Sequence, residues 1–450
     1  MRKRVLESSV LLISISKWIF LASIAGIIVG FSTAIFLKLL GLSMDFAKGY
    51  KYYFGLLPLA MFFSVVIVRY LAPEAEGHGT EKVIEAVHKR SGKINPRVVP
   101  VKLLATIITI ALGGSAGKEG PCAQIGAGLS AGMADLLRFN DIDRRKLVIC
   151  GISAGFASVF GTPIAGAIFG VEVLFVGGLL YDVLLPSFVA GIVGYHVSSS
   201  LGIAYFHHSL NFVSVFSSFF FFKVCASGLF FGLCSFLFIE LLNYFKNISH
   251  KIKKPMPIKG ILGGIILVGM AFLFSTRYLG LGLDTIETAL EGGDIPWSAS
   301  LMKMLFTSIT LNFGGSGGIV TPIFFVGATA GNIFGHALGL DPAVFAAIGM
   351  VSLLAGAANT PISASIMAVE IFGPAVAPYA AIACVISFLM TGHRSVYPSQ
   401  ILSMSKSSSI AVEEGREMSD MGGANVTLRA KSITGGIVKA LEKIKNKTGL

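Results

Sequence analysis

From about residue 10 to about residue 400 the chain is a succession of long apolar runs, about ten to twelve of them, many broken by glycine and proline. Lipid admits only structures that satisfy their own backbone groups, which means helices or closed barrels. Runs of roughly 20 apolar residues predict helices, because barrel strands are shorter and alternate. The pattern therefore predicts an all-α polytopic membrane protein. The first run, within "MRKRVLESSVLLISISKWIFLASIAGIIVGFSTAIFL", starts basic and then stays apolar to about Phe36. That is too long for the apolar region of a secretory signal, so a retained first helix is expected.

Composition agrees: 54% of residues are hydrophobic and 13% charged, against about 25% charged in soluble domains. The net charge of +12 is concentrated in "MRKR", "HKRSGKINPR", "RFNDIDRRK", "KNISHKIKKPMPIK" and the C-terminal tail. On a soluble protein such an excess would point to nucleic acid. Here the tendency of cytoplasmic loops to be basic accounts for it, and those segments are expected in the cytoplasm. The five cysteines lack C-x-x-C spacing and the eight histidines lack H-x-x-x-H spacing, so neither a disulfide framework nor a metal site is indicated. No cofactor motif or catalytic triad is present.

The chain repeats itself. "GGSAGKEGP" (Gly113–Pro121) aligns with "GGSGGIVTP" (Gly314–Pro322), and "GTPIAGAIFGVEV" (Gly161–Val173) with "NTPISASIMAVEI" (Asn359–Ile371). Two motifs in the same order at nearly the same offset indicate two related halves. Glu172 and Glu370 are repeat mates. Glu119 has Val320 as its mate, so one half carries an acid that the other lacks.

Duplicated halves with broken helices are a transporter-like architecture, with the site where half-helices meet near the midplane. Helix N-termini carry unpaired N–H groups and partial positive charge, and glycine lets backbone approach an ion. Proline in the first helical turn lacks only an N–H that would be unpaired anyway. "GKEGP" and "GIVTP" follow this grammar: a glycine-rich loop, then Pro121 or Pro322 opening an apolar helix. In "EGHGTEKVIEAV" a glycine loop precedes an amphipathic stretch.

These segments resemble the CLC family of chloride channels and chloride/proton antiporters, over roughly residues 15–400. "GKEGP" matches that family's G-[K/R]-E-G-P signature, and "GGIVTP" its second signature at Gly318–Pro322. "SVYPSQIL" brings Tyr397 to the place of the family's pore tyrosine. The resemblance implies two inverted-repeat halves with tilted, broken helices, and likens the helices of the "GTP" and "NTP" segments to those on the family's dimer side.

It also implies roles. Glu119 would be the gating glutamate, occupying an anion site itself and swinging away when protonated. Tyr397 would offer its hydroxyl to the central anion. The amides of Ile319 and Val320 would complete the site, with Gly117 and Gly120 flanking the acid and Lys118 setting the field more than binding the ion. His78, beside Gly79, stands where many members have a pore serine; its imidazole donates one hydrogen bond when neutral and adds a charge when protonated. Val173 stands where coupled members carry a second, cytoplasmic glutamate, which puts the usual inner proton route in doubt. Glu172 and Glu370 are expected to be structural acids that bind helix ends.

The expected organisation is a cytoplasmic N-terminus (1–15), a first membrane repeat (16–205), connecting helices and loop (206–255), a second repeat (256–402) and a short polar cytoplasmic tail (403–450), too short for a pair of nucleotide-sensing CBS domains. The final stretch is read as either a short amphipathic helix or disorder. The expected function is chloride transport at the cell membrane, coupled to protons, by a homodimer in the lipid bilayer. A passive chloride channel of the same fold is the alternative, and a membrane-embedded enzyme a remote one. Nitrate or another halide could replace chloride; fluoride is disfavoured because the "GKEGP" form is kept. No nucleic-acid partner is expected.

Overall fold

A computed structural model of the chain describes residues 2–205, 207–208, 218–423, 427–428 and 433–437. Up to residue 390 the described residues form two sets of eight α-helices. The first set is α1 (Arg2–Lys48), α2 (Leu57–Leu71), α3 (Thr80–Lys89), α4 (Val98–Ala111), α5 (Glu119–Leu136), α6 (Asp141–Phe160), α7 (Pro163–Glu172) and α8 (Tyr181–Ser200). The second is α9 (Ser218–Lys251), α10 (Met256–Leu273), α11 (Leu283–Leu290), α12 (Ala299–Asn312), α13 (Val320–Ala337), α14 (Pro342–Ala358), α15 (Pro361–Phe372) and α16 (Ala377–Met390). Five helical stretches among the described residues are long and apolar enough to cross a membrane: within α1, from Tyr53 through the end of α2, and within α8, α9 and α10. Others are short: α3 and α7 have 10 residues each and α11 has 8.

The sets correspond one to one. α1 packs on α6 and α8 as α9 packs on α14 and α16. The segment expected as connecting helices and loop is thus mostly one 34-residue helix that mates with α1, and the second set begins at Ser218, ahead of residue 256. Likewise α1 runs from Arg2 without a break, so residues 2–15 continue the first membrane helix. At 1.5 Å per residue its 47 residues reach about 70 Å, against about 30 Å of hydrocarbon.

The repeated motifs are helix punctuation. Gly161 closes α6 in the left-handed region (φ 73°) and Asn359 closes α14 there (φ 57°), each followed by Thr-Pro opening the next helix. Asparagine is among the few other residues that tolerate this conformation. The starts of α6 and α14 are capped by the mates Asn140, accepting from the Asp143 amide at 2.8 Å, and Asp341, accepting from the Ala343 amide at 2.9 Å.

Mates also exchange bonds across the junction. Glu172 accepts from the amides of Ile362 (3.0 Å) and Ser363 (2.8 Å) at the start of α15, and Glu370 from those of Ile164 (2.9 Å) and Ala165 (2.8 Å) at the start of α7. Both acids cap helix ends, as expected. Lys102 is fully buried and donates to the carbonyls of Ala75 (3.1 Å) and Gly77 (2.6 Å); its mate Lys303 is fully buried and donates to Tyr278 (3.2 Å) and Gly280 (2.8 Å). The Gly117 amide donates to the Gly318 carbonyl (2.7 Å) and the Gly318 amide to the Gly117 carbonyl (2.6 Å). Exchange of equivalent bonds is what a two-fold axis produces, and it passes between these glycines. The two halves are inverted repeats.

Beyond α16 the chain turns back under the bundle. A two-residue strand β1 (Phe175–Val176) pairs in parallel with β2 (Ile401–Leu402). The tail follows: the Met418 amide donates to the Gln400 carbonyl, the Ser419 amide to Pro398, and Lys89 at the end of α3 pairs with Glu417 at 2.9 Å. Of the final stretch, 433–437 is helical, and residues 438–450 lie outside the described residues.

Candidate anion site at converging helix ends

Three helix N-termini meet at the pseudo-two-fold axis: α3 behind Gly79, α5 behind Lys118 and α13 behind Ile319. Their approach depends on absent side chains. A methyl group at Gly120 would collide with the His78 carbonyl, and one at Gly79 with the Gly120 carbonyl. Gly79 also has φ 85°, where other residues are strained. Lys102 fixes the carbonyls of Ala75 and Gly77, so the loop bearing His78 is held from behind by a buried cation.

Glu119 is the first residue of α5 and fully buried. Its carboxylate leaves its own helix and binds the start of α13: Oε2 accepts from the Thr321 amide at 3.1 Å, and Oε1 from the Thr321 hydroxyl. A carboxylate thus lies in the field of a helix N-terminus, where a small anion would be stabilised for the same reason. Ile319 caps α13 and Val320 is its first residue, both 1% exposed. The acid bonds one residue beyond them. Sequence reasoning missed Thr321; the signal was a hydroxyl immediately before Pro322 in the second signature.

Tyr397 is 1% exposed, and its amide donates to the Ser395 hydroxyl at 2.9 Å. Its ring centre lies 6.4 Å from that of His78. The His78 Nδ1 is buried and has no protein partner. His78, Gly79, Gly117, Gly120, Ile319, Val320 and Tyr397 are therefore gathered around one junction with Glu119. Lys118, with Tyr205, Glu287, Thr321 and Phe324, lines a cavity of about 230 Å³ that adjoins the junction at Thr321. Val173 is fully buried and its carbonyl accepts from Gln400 Nε2 at 2.8 Å. That side-chain amide also donates to the Ala358 carbonyl at 2.9 Å, tying the two halves together.

The family description "Voltage gated chloride channel" matches residues 59–392. The chain belongs to this CLC family. A "Chloride/fluoride channel protein" of Pseudomonas syringae pv. tomato is 35% identical, over 87% of this chain and 88% of that one. The "Voltage-gated ClC-type chloride channel ClcB" of Escherichia coli is 28% identical over 71% of this chain and 79% of that one. Among solved structures, a "CLC-type fluoride/proton antiporter" superposes with a TM-score of 0.82 at 27% identity, covering 86% of this chain and 98% of that one. A slow cyanobacterial Cl⁻/H⁺ antiporter, at 20% identity and a TM-score of 0.73 over 83% of this chain and 94% of that one, shares the fold. CLC proteins are channels or transporters, and this chain is a membrane-embedded member that is not an enzyme.

Proposed function

We propose that the protein exchanges a halide for protons at the cell membrane, and that Glu119 gives way to the anion. The observation that carries this reading is the bond from the Glu119 carboxylate to the amide and hydroxyl of Thr321. A charged side chain at membrane depth is costly unless a compensating field holds it, so the place that holds it is suited to an anion. Protonation removes the charge and with it most of the attraction, freeing the site. Two exchangeable occupants of one site, a carboxylate and a halide, are what coupling needs. His78, Gly79, Gly117, Gly120, Ile319, Val320 and Tyr397 would surround the anion, and Lys118 would act on its outer approach. The working unit in this reading is a homodimer with one pathway per subunit.

Chloride is the first halide to test. Fluoride is the second, because the names of a 35% identical relative and of a superposing antiporter include it. The test is the reversal potential of the reconstituted protein under opposed halide and pH gradients. Coupled exchange displaces it from the halide equilibrium value, and Glu119→Gln returns it there. A wild-type protein already at the halide value is a passive channel, and the proposal falls.

A further inference from the structure

Four acids lie along the junction between the halves, and three are saturated. Both oxygens of Glu119 bind Thr321, and Glu172 and Glu370 each accept two backbone amides. The fourth is Glu81, the second residue of α3. Its Oε1 accepts from the Ser399 amide (3.0 Å) and hydroxyl (2.6 Å). Its Oε2 is buried without a partner, the one carboxylate oxygen so placed among the described residues. Buried polar atoms are nearly always bonded, and an exception calls for a reason.

The surroundings supply one. Thr80, the preceding residue, opens α3 beside the start of α5, where Gly79 abuts the Gly120 carbonyl next to Glu119, and Tyr397, whose ring centre is 6.4 Å from that of His78, stands two residues ahead of the Ser399 that Glu81 binds. Hydroxyls donate and accept at once, so those of Thr80 and Tyr397 are suited to relay a proton, and the unpartnered Nδ1 of His78 is close by. The charged groups felt at Glu81 are Lys82, next to it on α3, and Lys246 on α9, and neither bonds Oε2. Glu81 is only partly buried, and the Ser399 that it binds follows Pro398, whose carbonyl accepts from the Ser419 amide of the tail.

We propose that Glu81 is the inner proton-transfer residue, passing protons between the cytoplasm and Glu119 through the hydroxyls of Thr80 and Tyr397. The inference rests on the exchange reading above. Oε2 takes a proton from cytoplasmic water and gives it to a hydroxyl, which releases its own proton onward. Glu119 receives one proton, Glu81 is left as carboxylate, and no electrons change hands. The protonated Glu119 then yields its place to the halide.

The test measures halide efflux and proton uptake together in liposomes for the wild type, Glu81→Gln, Glu81→Asp and Thr80→Val. Glu81→Gln keeps the shape and the Ser399 bonds but cannot carry a proton through Oε2. Its proton flux is expected to fall about a hundred-fold, the scale on which a positioned proton-transfer group acts, while halide efflux continues. Glu81→Asp is expected to recover part of the proton flux, which a purely structural role would not explain. Thr80→Val cuts the link without touching the acid and is expected to lose proton flux as well, so it decides the matter if Glu81→Gln does not fold. A coupled wild type whose folded Glu81→Gln or Thr80→Val variant keeps its proton-to-halide ratio overturns the inference and leaves exchange intact. A wild type that moves no protons overturns both.

Discussion

Replacing Thr321 with valine should tighten anion binding. The side chain is 2% exposed, and its hydroxyl bonds the Glu119 carboxylate while its amide does so independently at 3.1 Å. Valine fills nearly the same volume and keeps the amide, so the variant subtracts one charge-assisted hydrogen bond. Such a bond is worth about 1.5–3 kcal/mol net. In the proposed exchange an anion takes this place by displacing the carboxylate, and every 1.4 kcal/mol is about a factor of ten in an equilibrium. Apparent halide affinity should therefore rise roughly 10- to 100-fold, provided the gate is the competitor. Calorimetric titration with chloride and with fluoride measures this directly. The same substitution in a Glu119→Ala background has no carboxylate to weaken, so the gain should vanish there. Equal gains in both backgrounds, or no gain in a folded Thr321→Val protein, would refute the competition between carboxylate and anion.

The two buried lysines offer a matched comparison. Lys102→Met and Lys303→Met each orphan two carbonyls and should cost similar stability, on the order of 2–4 kcal/mol in thermal unfolding in detergent. Only Lys102→Met should weaken halide binding, because only its loop carries His78. Glu370→Gln should destabilise the protein by about 3 kcal/mol, since the amides of Ile164 and Ala165 lose an ionised acceptor; its halide affinity should stay at the wild-type value, and a selective loss of affinity would contradict the structural role.

What the sequence made legible depended on how tightly each position is constrained. The glycine loops and Thr-Pro steps survived in both halves because backbone crossing and left-handed helix ends admit few residues, as Gly161 and Asn359 illustrate. The correspondence of α1 with α9 left no readable trace: about half of each apolar stretch faces outward, where a side chain needs only to be apolar, so the pattern drifts freely. An acid at the start of a helix could be read from "GKEGP". The partner of that acid could not, because nothing in the chain states that Glu119 turns away from α5 toward α13. Glu81 looked like an ordinary first-turn acid of an amphipathic helix. Its bare oxygen becomes visible only when Ser399, over three hundred residues later, occupies the other one.

The axis between Gly117 and Gly318 has a consequence for direction. Were the halves identical, the path would present the same face to both sides of the bilayer, and an ion could not distinguish entering from leaving. Lys102 and Lys303 preserve that sameness. Position 119 breaks it, with an acid on one side of the axis and Val320 on the other. If Glu119 works as proposed, the acid set on one side of this axis is among the differences that give the passage an inside and an outside.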